Sequence, residues 1–244
     1  MSLPGRNAPS SVEEAAAQLR AGMGTARRGR HSLTELRDRE REILKTWFHG
    51  QGRVFGEDPT LSLDTRQAHG EHCVAFDPGT LSWWKTTHAG KCGVGAEFHY
   101  DDLPPFAITA VSAREPLPSE YLERLIVHNR EFGDDIRIEG YVEGVLPSLV
   151  ISQPGLEGEP ATADQMEESL RDLGYLPIPG LHVGRPESIS FYNAGKRIAL
   201  FDAHPANFFY WEGVAIPVDG IILQIRNDSE HHWLSSRTAG PNPF

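Results

Sequence analysis

The chain has 244 residues, of which 39% are hydrophobic and 23% are charged, and it carries a formal net charge of -11 at pH 7. This length and composition allow one large domain or two small ones with a substantial core. The acidic balance disfavours nonspecific binding to nucleic acid or to an anionic membrane. It still allows a nucleotide site, which needs only a local positive group and a metal ion.

The cysteine content and the apolar pattern favour a cytoplasmic protein. The chain contains 2 cysteines, Cys73 and Cys92, without further ligands at the spacing of a metal site. A disulfide framework is not expected in a chain of this size. The sequence has no apolar run of membrane-spanning length and no signal-peptide core near its start, so we expect no membrane partner.

Residues 1–58 are predicted to form an N-terminal helical arm. Residues 1–10 are rich in Pro, Gly and Ser, which is typical of a disordered start. Capping residues predict one helix over Ser11–Arg20 and a second that opens at Ser32 and ends near Gly50. The second helix mixes apolar and charged positions, so we interpret it as an amphipathic helix packed on a domain.

Residues 59–154 are predicted to form an antiparallel sheet with one helix. The turn residues Asp77-Pro78-Gly79-Thr80 separate two apolar runs, which predicts a hairpin of strands 73–76 and 81–86. Apolar residues at helical spacing predict a helix from Glu120 to about Phe132. Further strands are predicted at 61–63, 136–142 and 149–152.

Residues 155–226 are predicted to form a second, smaller part of the fold, after a hinge at Pro154-Gly155. Thr162 can cap a helix that ends at Gly174, and short strands follow. Residues 227–244 are polar and contain prolines, so we expect a tail that leaves the fold. The order of elements predicts an α+β protein.

The most informative pattern is formed by Asp202, Asn207 and Asp219. Asn207 follows Asp202 by five positions, and Asp219 comes twelve positions after Asn207. The apolar runs 198–201 and 208–210 flank the first two residues. We therefore expect the loop at the end of two buried strands, where an unpaired carboxylate would be costly. An isolated loop of this composition is otherwise typical of a turn.

These residue types suit phosphoryl transfer, which requires alignment and charge stabilisation more than a strong base. Asp202 is the candidate catalytic base for a substrate hydroxyl. Asn207 and Asp219 are candidate ligands of Mg²⁺ or Mn²⁺, because oxygen ligands suit these ions better than zinc. His204 either contacts a phosphate or orders the loop through a backbone carbonyl.

Lys85, on the second strand of the predicted hairpin, is the candidate group for gripping nucleotide phosphates. A glutamate of the next helix would keep it charged and oriented. We favour Glu120, at the start of that helix, and Glu123 is the alternative. Otherwise Lys85 is an exposed strand lysine and the glutamates form a solvated helix face.

The segment Gly70-Glu71-His72 precedes the first strand of the hairpin. Its backbone N–H groups can lie over phosphates, and Gly70 allows a close approach. The alternative is an ordinary solvated connection.

Together these residues resemble the small serine/threonine/tyrosine kinase-like domain of polyvalent proteins from phages and mobile elements. The resemblance covers roughly residues 60–225. It is carried by Gly70–His72, Trp84–Thr87, Glu120–Leu125, Asn129, Phe132–Ile136, Ile151–Pro154, Asp202–Asn207 and Gly213–Asp219. It implies a protein-kinase-like fold, with an antiparallel-sheet N-lobe at 59–154 and a reduced C-lobe at 155–226.

The resemblance also implies an ATP- and Mg²⁺-dependent phosphotransferase that acts on a protein or a small molecule. It places Gln153 at the nucleotide, with Lys85, Gly70, Glu71, His72, His204 and Asn207.

The chain departs from the kinase pattern in three places. The segment near Gly70 has one glycine where kinases have three, and Asp219 is followed directly by Gly220. Only residues 220–244 remain after Asp219, which leaves no room for a long activation segment. A pseudokinase or nucleotide-binding interaction module is therefore the alternative function. A third possibility is an interaction protein unrelated to nucleotides.

Overall fold

The computed structural model describes residues 11–24 and 31–238, and it contains helices and several antiparallel sheets. The protein is therefore of the α+β class, as predicted. The predicted disordered start at 1–10 and the last residues of the predicted tail, 239–244, lie outside the described residues.

The described chain divides into two compact units. Unit 1 comprises the residues up to Gly93 together with Glu115–Gly155. Unit 2 comprises Val94–Arg114 together with the residues from Leu156 onward.

The helices of the described residues are α1 (Ser11–Met23), α2 (Leu33–Gln51), α3 (Pro118–Phe132), α4 (Ala163–Asp172) and α5 (Asp228–Ser235). The strands of unit 1 are β1 (Val54–Phe55), β2 (Gln67–His69), β3 (His72–Asp77), β4 (Ser82–Thr87), β7 (Arg137–Val142) and β8 (Ser148–Pro154). Those of unit 2 are β5 (Gly95–Tyr100), β6 (Ile108–Arg114), β9 (Glu159–Pro160), β10 (Leu176–Ile178), β11 (Ile189–Asn193), β12 (Ile198–Ala203), β13 (Phe208–Trp211), β14 (Val214–Pro217) and β15 (Ile221–Gln224).

Unit 1 is built on a six-stranded sheet with the order β1-β7-β8-β4-β3-β2. Its neighbouring strands are antiparallel, except that β1 and β7 are parallel. The predicted hairpin is confirmed as β3 and β4, with Ala75 opposite Trp84. The predicted strands after the helix are confirmed as β7 and β8.

The strand predicted at 61–63 is wrong, because Pro59–Ser62 forms a short 3-10 helix. The side chain of Asp58 accepts the N–H of Thr60 at 3.0 Å and so caps this turn. Proline at the first helical position fits the same start. Capping chemistry therefore determines the local structure of this segment.

Both predicted N-terminal helices are confirmed, and they belong to the core of unit 1. Ser32 caps α2 through a reciprocal pair of hydrogen bonds with Glu35. On α1, Val12, Ala15 and Leu19 are buried in the same cluster as residues of α3, β7 and β8. The arm therefore covers an apolar face and contributes to the stability of the unit.

Replacing Leu19 by Ala is expected to destabilise the protein by about 2–5 kcal/mol, because a buried side chain is lost and a cavity remains. Leu19 is 1% exposed. The measurement is urea unfolding followed by circular dichroism. Gln18→Ala is the control, because Gln18 is exposed on the same helix. Equal unfolding midpoints for the two variants would show that α1 does not stabilise the core.

Unit 2 has a four-stranded antiparallel sheet with the order β10-β11-β12-β15. A three-stranded sheet, β14-β13-β9, and the hairpin β5-β6 complete its strands. The predicted helix after Thr162 is confirmed as α4, which begins with a capping box between Thr162 and Gln165. The hairpin β5-β6 was not predicted from the sequence.

The tail predicted from residue 227 is wrong over 228–235, which forms α5. Asn227 caps this helix by accepting the N–H of Ser229 at 2.8 Å. Leu234 is fully buried in the core of unit 2, and the indole N–H of Trp233 donates to the Ile108 carbonyl at 2.9 Å. A single apolar turn therefore holds this polar segment on the fold.

Candidate functional site

The site in unit 2 begins at the end of the buried strand β12. The register between β11 and β12 shifts between Ile189 and Phe191, which marks a β-bulge. Asp202 lies at this irregularity with a φ of 58°, in the left-handed region. This conformation costs about 1–2 kcal/mol for most residues with a side chain, and Asp and Asn adopt it more readily. Bulges and residues in unusual backbone conformations are frequent next to functional sites.

The loop after Asp202 is closed by its own hydrogen bonds. Asn207 donates from Nδ2 to the Asp202 carbonyl at 3.1 Å, and its backbone N–H donates to the His204 carbonyl at 2.8 Å. Pro205–Asn207 forms one 3-10 turn. Within the described residues, no hydrogen bond to Asn207 Oδ1 is found, so this oxygen is available as a ligand.

Asp219 returns to the same loop through the hairpin of β13 and β14. Phe208 pairs with Pro217, and the N–H of Val218 donates to the Asn207 carbonyl at 2.8 Å. On the other side of Asp219, Ile221 pairs with Phe201 of β12. The carboxylate of Asp219 accepts the N–H of Gly220 at 2.8 Å. Backbone pairing before and after Asp219 therefore fixes its position near Asp202.

Burial and neighbouring charges shift the pKa values of Asp202 and His204 in this loop. Burial raises the pKa of Asp202 above the ordinary aspartate value, and the Asp219 charge adds to this, whereas the Arg185 N–H and the charge of His204 oppose it. Burial lowers the pKa of His204, and the Asp202 charge opposes that shift. Because of the raised pKa, Asp202 is a better proton acceptor than a solvated aspartate.

The carboxylate of Asp202 is held by the loop before β11. Its Oδ1 accepts the backbone N–H of Arg185 at 2.8 Å. Gly184 precedes this contact with a φ of 96°, and a Cβ atom at Gly184 would overlap Asp202 Oδ1. The sequence did not indicate the contact, since Gly184-Arg185 has the composition of an ordinary loop.

Replacing Gly184 by Ala is expected to destabilise the protein by more than the roughly 1–2 kcal/mol of left-handed strain, because the methyl group also displaces the Asp202 carboxylate. Gly180→Ala is the control. Gly180 has a φ of 74°, but a Cβ atom there meets nothing within 4 Å. The comparison is made by urea unfolding, and equal losses of stability in the two variants would contradict the close contact.

The structure thus brings together four predicted residues within unit 2: Asp202, His204, Asn207 and Asp219. Two carboxylates and an amide oxygen form a set of ligands that suits Mg²⁺ or Mn²⁺. The remaining predicted residues, Lys85, Glu120, Gly70, Glu71, His72 and Gln153, lie in unit 1.

Lys85 lies on β4, between β3 and β8 in the sheet of unit 1. It pairs with Val74 on one side and with Ile151 on the other. The side chain is 9% exposed, so the alternative of an exposed strand lysine is wrong. A lysine is rarely buried without a specific partner.

Glu120 occupies the first turn of α3. Its Oε2 accepts the N–H of Leu117 at 2.8 Å, as in the capping of a helix N-terminus. The charge also suits the positive end of the helix dipole. The choice between Glu120 and Glu123 as partner of Lys85 stays a prediction.

The turn between β2 and β3 is attached to α3. Gly70 has a φ of 49° in this turn. Glu71 accepts two hydrogen bonds from the Arg124 guanidinium, one of them from Nη1 at 2.9 Å, and His72 Nε2 lies 2.9 Å from the Tyr121 hydroxyl. The side chains of Glu71 and His72 are therefore buried and engaged, whereas Gly70 is exposed as a solvated connection would be. The sequence did not reveal Arg124, which has the appearance of an ordinary helix residue.

Gln153 uses its side chain inside unit 1. The buried amide Nε2 donates to Asp134 Oδ2, and His128 Nε2 lies 3.2 Å from the same oxygen. Burial alone would raise the pKa of Asp134, but the interaction with His128 and the bonds from Gln153 and the Asp135 N–H outweigh it and lower the pKa. Gln153 therefore fixes the end of β8.

No match to this chain is found among profiles of known protein families, among curated proteins or among solved structures. Over residues 11–24 and 31–238, no helix is both long enough and apolar enough to cross a membrane.

Proposed function

We propose that the protein is an ATP- and Mg²⁺-dependent phosphotransferase of the protein-kinase-like type, with Mn²⁺ as an alternative metal. The observation that carries this proposal is the loop of unit 2. An aspartate in the left-handed region at a β-bulge, an asparagine with an available oxygen and a second aspartate lie within one hydrogen-bonded arrangement. Phosphoryl transfer requires such a set of oxygen ligands beside a proton acceptor.

Each of these residues has a defined task in the proposal. Bound Mg²⁺–ATP supplies the transferable phosphoryl group and neutralises its charge. Asn207 Oδ1 and the Asp219 carboxylate would hold the metal. Asp202 would take the proton of the acceptor hydroxyl while the bond from phosphorus to the ADP oxygen breaks and the bond to the acceptor oxygen forms. His204 would face the phosphates or order the loop.

Unit 1 supports the protein-kinase-like part of the proposal. In chain order it has the strands β2 and β3, the lysine strand β4, the helix α3, and then β7 and β8. This is the order that the resemblance implies for the N-lobe, which was predicted at 59–154 with the C-lobe at 155–226. Residues 94–114 of the predicted N-lobe belong to unit 2. In the proposal Lys85 contacts nucleotide phosphates and Glu120 orients it. Gly70, Glu71, His72 and Gln153 contribute to the nucleotide site, Glu71 and Gln153 through their backbone.

The second candidate function is a pseudokinase or nucleotide-binding interaction module without turnover. The observation that favours it is the turn between β2 and β3. This turn has the single glycine Gly70, and Arg124 holds its Glu71. Both features limit how the turn adapts to phosphates. Thermal stabilisation by Mg²⁺–ATP without turnover would favour this candidate.

We place the activity in the cytoplasm, because Cys73 and Cys92 are both free thiols. The acceptor is a protein or a small molecule with a hydroxyl group.

The proposed function is tested by incubating the full chain with labelled ATP and Mg²⁺ or Mn²⁺, alone and with candidate acceptors. We expect transfer of label that requires the metal. If the wild-type chain neither transfers phosphate nor binds nucleotide, both candidate functions fail.

A further inference from the structure

The loop before β11 fixes the position of Arg185 beside the candidate base. The N–H of Arg185 donates to Asp202 Oδ1 at 2.8 Å. The hydroxyl of Ser188 donates to the Arg185 carbonyl at 2.7 Å, and the N–H of Ser188 donates to the same oxygen at 3.1 Å. His182 Nδ1 lies 2.6 Å from the Ser188 carbonyl. Both backbone polar groups of Arg185 are therefore fixed, the N–H by Asp202 and the carbonyl by Ser188.

The guanidinium of Arg185, in contrast, is uncommitted. Residues 184–187 are exposed, and within the described residues Arg185 forms no ion pair. Other arginines of unit 2 are engaged: Arg114 with Glu97 at 3.9 Å, Arg171 with Glu167 at 3.7 Å, and Arg197 with Asp228.

Arg185 lies next to the candidate base, because its backbone N–H contacts Asp202 Oδ1. Its side chain is exposed and so is accessible to a substrate bound at this loop. Guanidinium groups bind carboxylates and phosphates through paired hydrogen bonds.

We propose that Arg185 is a specificity-determining residue that binds an anionic side chain, a carboxylate or a phosphate, next to the acceptor hydroxyl of a peptide substrate. The assignment rests on the proposed function, because Asp202 then receives the hydroxyl proton. A peptide fits better than an enclosed small molecule, because residues 184–187 are exposed and small-molecule sites bury most of their ligand.

The geometry limits where the anionic residue lies in the peptide. Extended chain advances about 3.3–3.6 Å per residue. Because the backbone N–H of Arg185 contacts Asp202 Oδ1 and the side chain extends from this point, the anionic residue is expected within about three positions of the acceptor. Phosphoserine and acidic residues both present anionic oxygens to a guanidinium. A comparison of phosphoserine peptides with Asp or Glu peptides shows whether Arg185 binds a phosphate or a carboxylate.

The test uses the full chain, labelled ATP with Mg²⁺, and matched peptides with a Ser, Thr or Tyr acceptor flanked by Asp, Glu, phosphoserine, Gln or Lys. For the wild type, we expect the KM of anionic peptides to be about tenfold lower than that of the Gln peptide, with similar kcat. Arg185→Gln should remove the difference, and Arg185→Glu should shift the preference to the Lys peptide. Arg171→Glu, an exposed arginine on α4, should retain the wild-type preference.

The outcomes separate this inference from the proposed function. If peptides accept label equally in the wild type and in Arg185→Glu, the role of Arg185 is overturned while the proposed phosphotransferase stands. Transfer to non-peptide acceptors alone also overturns the role of Arg185 and leaves the phosphotransferase standing. The absence of transfer to any acceptor overturns both. Both Arg185 variants keep the backbone N–H bond to Asp202, so their unfolding midpoints should match that of the wild type.

Discussion

Asp202→Asn is expected to lower the rate of phosphate transfer by roughly 10²–10⁴, the usual contribution of a positioned proton acceptor. Asparagine tolerates the left-handed φ of 58°, and its Oδ1 can still accept the N–H of Arg185. The substitution therefore removes the basic group and keeps the loop. The measurement is transfer of labelled phosphate at saturating Mg²⁺–ATP.

Although Asp202→Asn should lower the activity, it should not lower the stability of the protein at pH 7. Burial raises the pKa of Asp202, so the folded state favours its protonated form. This contribution to stability is fully present below the pKa of an unfolded aspartate and is lost as the pH rises through the folded value. At pH 7 the Asp202→Asn protein should therefore be at least as stable as the wild type, and the difference should disappear in acid.

Two controls complete this experiment. Asp202→Ala loses the acceptor for the Arg185 N–H and the tolerance of the left-handed region, so it should be less stable than Asp202→Asn by about 1–2 kcal/mol. Asp172→Asn changes an exposed carboxylate on α4 and should keep full activity. Wild-type rates for Asp202→Asn would eliminate Asp202 as the base.

Arg124→Met is expected to destabilise the protein by about 3–5 kcal/mol. The side chains of Arg124 and Glu71 are 9% and 8% exposed, and they form a paired hydrogen-bonded contact. Removing the arginine leaves a buried carboxylate without its main countercharge. Urea unfolding measures the loss.

The matched control for Arg124 is the ion pair of Arg137 with Asp135, in which Arg137 is 53% exposed. Arg137→Met should change stability by less than about 1 kcal/mol, because solvent screens an exposed pair. Adding Glu71→Gln to Arg124→Met should recover part of the stability, since it removes the stranded charge. If Arg124→Met and Arg137→Met unfold alike, the buried pair does not stabilise unit 1.

Local chemistry made much of the fold predictable. Ser32 and Thr162 start helices through hydrogen bonds to residues three positions further on, so short windows of sequence contain the whole signal. The turn at residues 77–80 fixes the hairpin for the same reason. The polar loop around Asp202 was recognisable because apolar strands flank it on both sides.

The missed features depend on distant contacts. The hairpin β5-β6 and the helix α5 have polar surfaces, and their apolar residues become informative only where Phe98 meets the ring of Trp233. Arg124 and Glu71 are 53 positions apart, and Arg185 and Asp202 are 17 apart. Nothing in the separate segments indicates that these residues meet.

The central claim is that Asn207 and Asp219 of unit 2 hold a metal–nucleotide complex. Titration with Mn²⁺ in the presence of ATP tests it, with the EPR signal of free Mn²⁺ as the readout. We expect the wild type to bind Mn²⁺ more tightly when ATP is present. Asp219→Asn should weaken this binding at least about tenfold, because it removes a charged ligand. Asp172→Asn should bind like the wild type. Absence of nucleotide-dependent binding in the wild type, or equally tight binding by Asp219→Asn, would contradict the claim.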